Sequence, residues 1–99
     1  MDATQRQVAG YLGPRIRRIR RGLDMSQENL ADNAGIHRTQ ISLIESGQRL
    51  PRLDTLLKLA GALEVPLPTL LEGISWKPAV DGPGEFLVTD PPELPRLRS

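Results

Sequence analysis

Residues 26–47, "SQENLADNAGIHRTQISLIESG", decide the fold. Two short amphipathic segments meet here at a glycine. In the first, Leu30, Ala31 and Ala34 share one face, Ser26 stands where an N-cap is wanted, and acids follow early. Gly35 comes directly after the last apolar residue, the position of a left-handed C-cap. Ile36, Ile41 and Ile44 project to one side of the second segment, and Gly47 ends it. A helix that only closes a core usually shows Lys and Glu to water. This one shows Arg38, Thr39, Ser42 and Ser46, with Leu43 at the edge.

The flanking sequence supplies three more helices. Leu12, Ile16, Ile19 and Leu23 repeat at helical spacing as one apolar stripe. Arg17, Arg18 and Arg21 oppose that stripe, Arg20 borders it, and Val8 extends it backwards. Pro14 suits a first turn better than a helix interior. Pro51 precedes a fourth helix, with Leu53, Leu56, Leu57, Ala60 and Leu63 expected inward. Pro66 and Pro68 open a short fifth helix that ends near Gly73. The expectation is an all-α, compact five-helix domain over residues 5–73.

Residues 74–99 form a Pro-rich C-terminal extension with five of the nine prolines. Ile74–Trp76 and Phe86–Thr89 are β-prone around turn material at 81–84, so a short hairpin or strand is expected. Residues 90–99 read as a disordered tail. Trp76, Phe86, Leu87 and Val88 are costly to leave in water. The segment 74–89 is therefore expected to pack on the body or to pair with a second chain as a dimer contact.

Composition narrows the chemistry. Aromatic residues make up 3%, so the core must be aliphatic. There is no cysteine, and His37 is the only histidine. Disulfides, zinc–thiolate sites, histidine clusters and a Ser-His-Asp triad have no residues to build them. With no Gly-rich phosphate loop either, no catalytic residue, cofactor or metal is expected, and the chain does not read as an enzyme. No apolar run approaches the ~20 residues of a membrane span, and no signal-peptide core is seen. A cytoplasmic location is expected. The net charge of +1 is unevenly spread. Residues 1–52 carry nine arginines against five acids, and residues 53–99 carry four bases against seven acids. A basic half of this kind suits an anionic partner.

Helix, glycine turn, helix is a helix-turn-helix, which holds its second helix out from the body where a DNA major groove can receive it. Short hydroxyls and Arg hydrogen-bond base edges and phosphates, and a Leu can touch a thymine methyl. These residues also carry a resemblance. Ser26-Gln27-Glu28-x-Leu30-Ala31, then Ala34-Gly35-Ile36, then Ile41-Ser42-x-Ile44-Glu45-x-Gly47, then Pro51 and the Leu-rich fourth helix resemble the Cro/Xre-type, phage-repressor-like helix-turn-helix family. The match covers roughly residues 12–73.

The resemblance implies a five-helix DNA-binding domain that acts as a dimer. Arg38, Thr39, Ser42 and Leu43 match the family's base-reading positions, although Leu43 also suits a core position. Gln27 matches a glutamine that bonds a phosphate and braces a recognition side chain. Gln40 is placed at phosphate or at the junction of the second and third helices. Arg49 and Arg52 match backbone-contacting positions. His37 departs from the family's usual Ser or Thr and adds a pH-sensitive phosphate contact. Arg20 and Glu45 match a partly buried ion pair between the first and third helices. The expected function is a dimeric transcriptional repressor reading a palindromic double-stranded DNA operator. The alternative is an antitoxin-like or adapter protein that holds a protein partner through residues 74–99.

Overall fold

The computed structural model describes residues 1–89; the tail expected over 90–99 lies outside the described residues. Five helices are followed by a hairpin: α1 (Ala3–Gly22), α2 (Gln27–Ala34), α3 (Arg38–Glu45), α4 (Leu53–Ala62), α5 (Leu67–Leu71), β1 (Ile74–Lys77) and β2 (Glu85–Val88). The five-helix architecture and its β extension match the expectation from sequence. Among the described residues, no helix is long and apolar enough to cross a membrane.

α1 corrects the reading of Pro14. The helix starts at Ala3, and Pro14 lies inside it. Its start is fixed by a capping box. Asp2 Oδ1 accepts from the Gln5 amide at 2.9 Å, and Gln5 Oε1 accepts from the Asp2 amide at 2.8 Å. An interior proline costs about 3 kcal/mol. The apolar stripe runs on through it, however, burying Ala9 and Leu12 before it and Ile16 and Ile19 after it. That continuous burial on both sides outweighs the break, and Pro14 itself faces solvent.

The caps of the recognition unit follow the sequence reading. Ser26 Oγ accepts from the Asn29 amide at 2.9 Å, while Asn29 Oδ1 accepts from the Ser26 amide at 3.2 Å. Gly35 turns the chain at φ +70° between α2 and α3, and Gly47 does so at φ +79° after α3.

The core is a single aliphatic cluster containing Leu12, Ile16, Ile19, Leu30, Ile41, Ile44, Leu56, Leu59, Leu63 and Leu70. α4 differs from expectation. Leu53 and Leu57 were expected inward but are 64% and 53% exposed, whereas Leu59 is fully buried. At about 100° per residue, positions 56, 59, 60 and 63 make the narrower stripe, and 53 and 57 fall outside it. Arg15, one of the α1 arginines, is buried. Its Nη1 donates to the carbonyls of Leu70 at 2.9 Å and Glu72 at 2.7 Å, satisfying backbone acceptors at the end of α5.

β1 and β2 pair antiparallel, with Trp76 opposite Phe86. The two rings meet edge to face with centroids 4.9 Å apart. The hairpin packs on α1, where Gln7 Nε2 donates to the Phe86 carbonyl at 3.2 Å. β2 thus packs on the body as expected, but Trp76 and Leu87 stay 47% and 42% exposed, so the packing is only partial.

At Gly13 the backbone of α1 lies directly against the end of α3. A Cβ there would collide with the carbonyl oxygens of Ile44 and Glu45. Gly13→Ala is therefore expected to destabilise by about 1–3 kcal/mol through overpacking. Urea unfolding should show a lower midpoint at unchanged slope. A wild-type midpoint would mean that α1 and the end of α3 are not in this contact.

Candidate nucleic-acid interface

α3 is held in place by a carboxylate. Glu45 is 1% exposed. Arg20 grips it with two bonds, Nε to Oε2 at 2.6 Å and Nη2 to Oε1 at 2.9 Å. Gln27 Nε2 donates to Oε1 at 3.1 Å, and Arg17 Nε lies 3.5 Å from the same oxygen. Arg20 also donates through Nη1 to the Met25 carbonyl at 2.8 Å. One carboxylate thus joins α1, the α1–α2 link, α2 and α3. Burial alone would raise the Glu45 pKa, but the hydrogen bonds from Arg20, Gln27 and Arg17, with the Arg20 charge, overcome it and hold the group below its ordinary 4.5. The expected Arg20–Glu45 pair is present and is more buried than the sequence reading had it.

With Ile41, Ile44 and Glu45 turned inward, the other side of α3 is free. Arg38, Thr39 and Ser42 are exposed along it, and His37 is exposed at its N-cap. His37 makes no side-chain capping bond. Leu43 and Gln40 are half-buried, which leaves Leu43 between its two expected roles. Gln27 is half-buried, its amide nitrogen directed at Glu45. Arg49 and Arg52 are exposed in the link between α3 and α4. Arg52 Nε stands 3.5 Å from Asp54 Oδ1, and both side chains are largely solvated. The fold therefore gathers His37, Arg38, Thr39 and Ser42 on one surface.

Two participants were not anticipated. Arg17, placed opposite the apolar stripe, also reaches the Glu45 carboxylate. Glu28 pairs with Arg38, Oε2 to Nε at 2.9 Å. No local spacing announces that pair, because it depends on how the Gly35 turn sets α3 against α2.

This geometry coincides with what known proteins show. A family model described as helix-turn-helix, HTH_3, matches residues 16–70. The chain belongs to that family of DNA-binding helix-turn-helix regulators. Control protein C.SmaI of Serratia marcescens is 42% identical over 64 residues, covering 65% of this chain and 76% of that protein. Control protein C.BamHI of Bacillus amyloliquefaciens is 44% identical over 61 residues, covering 61% and 75%. Among solved structures, the restriction-modification controller protein C.AhdI of Aeromonas hydrophila superposes with a TM-score of 0.62 at 37% identity, covering 63% of this chain and 94% of that one.

The Glu45 contacts generate a stability prediction. Removing one partner of the Arg20–Glu45 pair strands a buried charge and should cost about 3–5 kcal/mol. In Arg20→Ala, Glu45→Ala and the double variant, the two losses should be strongly non-additive. Because the folded-state pKa of Glu45 is depressed, its contribution is complete above the ordinary value of 4.5 and is lost as pH falls through the folded value. Chemical denaturation from pH 7 to pH 3 should accordingly show wild type losing its advantage over Glu45→Gln towards the acid end. Additive losses, or an advantage that does not change with pH, would show that the pair does not hold α3.

Proposed function

We propose that this protein is a sequence-specific double-stranded DNA-binding transcriptional regulator that works in the cytoplasm as a homodimer on a palindromic operator. Its simplest action is repression by occluding a promoter. The observation that carries this reading is the outward face of α3, where Arg38, Thr39 and Ser42 stand exposed together on a helix whose other side is locked by Glu45. A bidentate Arg suits a guanine, and hydroxyls suit either base edges or phosphates. Arg49 and Arg52, exposed just beyond α3, suit the DNA backbone and set register rather than sequence. Gln27 and Gln40 are assigned to phosphate, as is His37 at the helix start. Leu43 is assigned to a thymine methyl at the edge of the groove. The similarity to control proteins and regulators supports this reading. The partner-binding alternative is less favoured, because Trp76 and Phe86 stack on each other in a hairpin that packs on α1.

Two half-sites one DNA turn apart need two copies about 34–36 Å apart. We assign the dimer contact to α4 rather than to the hairpin. Leu53 and Leu57 are exposed there among the described residues. Gly61 continues the line at i, i+4, i+8, and a Cβ at Gly61 would meet nothing within 4 Å. Two such helices crossing antiparallel at Leu57 would set Leu53 over the bare backbone of Gly61 of the partner subunit.

Two experiments follow. Arg38→Ala should weaken binding to a selected operator by about 1–3 kcal/mol and relax preference at one base pair. Arg49→Ala should weaken operator and random DNA alike and make the salt dependence shallower by about one unit. Equal loss on all sequences for Arg38→Ala would reassign it to the backbone. Leu57→Glu should sediment as a monomer and lose operator affinity by about a hundredfold as avidity disappears. A dimer of Leu57→Glu would remove α4 as the interface.

A further inference from the structure

Arg38 does not stand free on the recognition face. Its Nε forms an ion pair with Oε2 of Glu28 across 2.9 Å, so the first residue of α3 reaches back to the first turn of α2. The two side chains are 58% and 64% exposed. A pair so open to water adds little to stability. Nor does α2 depend on Glu28 for its start, since Ser26 and Asn29 already cap it with two bonds. The consequence of the pair is geometric. Arg38 has three nitrogens in a rigid plane, and Glu28 holds the one nearest the chain. Among the described residues, no hydrogen bond occupies Nη1 or Nη2. Those two donors lie along one edge, and guanine offers two acceptors, O6 and N7, along one edge of its own. Keeping the guanidinium beside Glu28 before DNA arrives removes part of the side-chain freedom that binding would otherwise have to quench.

The carboxylate has a second effect. Its charge sits beside the surface assigned to DNA, where it opposes phosphate and partly neutralises Arg38. An arginine held this way gains little from sliding onto a phosphate, and it gains in full when a guanine meets its free edge. We propose that Glu28 is a specificity-determining residue. It positions the Arg38 guanidinium for a guanine and disfavours docking on DNA of other sequence. The proposal rests on the reading of Arg38 as a base-contacting residue.

The test measures dissociation constants at one fixed salt concentration. The probes are a duplex enriched from random-sequence DNA by the wild-type protein and a scrambled duplex of the same composition. Glu28→Ala should bind the scrambled duplex more tightly and the enriched duplex less tightly, so that the ratio of the two falls by about tenfold. In an Arg38→Ala background, where the ratio is already reduced, adding Glu28→Ala should change it no further. The proposal is overturned if Glu28→Ala keeps the wild-type ratio, whether both affinities rise together or neither moves. It is equally overturned if Glu28→Ala lowers the ratio as much without Arg38 as with it. An Arg38→Ala protein that retains the wild-type ratio marks a different failure, that of Arg38 as a base reader.

Discussion

A carboxylate with almost no access to water ties the recognition unit together. Glu45 ends α3, and the groups that neutralise it come from elsewhere: Arg20 and Arg17 from α1, Gln27 from the start of α2. A buried charge without partners is strongly unfavourable, so these residues must stay assembled whenever the domain is folded. The aliphatic core could be filled by many arrangements of Leu and Ile. The geometry of one carboxylate meeting Arg, Gln and Arg allows far fewer. The orientation of α3 is thereby specified more sharply than hydrophobic burial would specify it.

What faces outward follows from what is locked inward. Once Ile41, Ile44 and Glu45 point at α1 and α2, helical periodicity leaves Arg38, Thr39 and Ser42 facing solvent. Gln27 connects the two sides. Its amide nitrogen serves Glu45, and its position at the start of α2 brings it to the border of the exposed face. A change at the core carboxylate should therefore be felt at the surface proposed to read DNA. The same logic places Glu28 beside Arg38, through the turn that Gly35 makes possible at positive φ.

Much of this was legible in the chain. Ser26, Gly35 and Gly47 act through local backbone chemistry, and they bracket the two recognition helices as residues 26–47 suggest. The outward set at 38, 39 and 42 follows from periodicity alone. The misses share a cause: each depends on packing between distant segments. Pro14 reads as a helix start until the stripe on both sides is seen to be buried. Leu53 and Leu57 read as core because apolar character does not say which of several leucines on one helix wins the interior. The burial of Arg15 is of the same kind, since the end of α5, more than fifty residues away, brings two carbonyls to it. The Glu28–Arg38 pair had no signal in spacing, because its partners lie on different helices and meet only through the turn. The resemblance supplied roles for Gln27, Arg49 and Arg52 that residue chemistry alone left open.

The exposed face of α3 is proposed to read base sequence in a two-fold arrangement, and selection of bound duplexes from a random-sequence pool by the 99-residue protein puts this to the test. The expected result is enrichment of an inverted repeat whose half-sites lie about ten base pairs apart, centre to centre, with a guanine in each half that loses its preference when Arg38 is replaced. A selected pool no different from the input, or a single asymmetric site indifferent to Arg38, would contradict it.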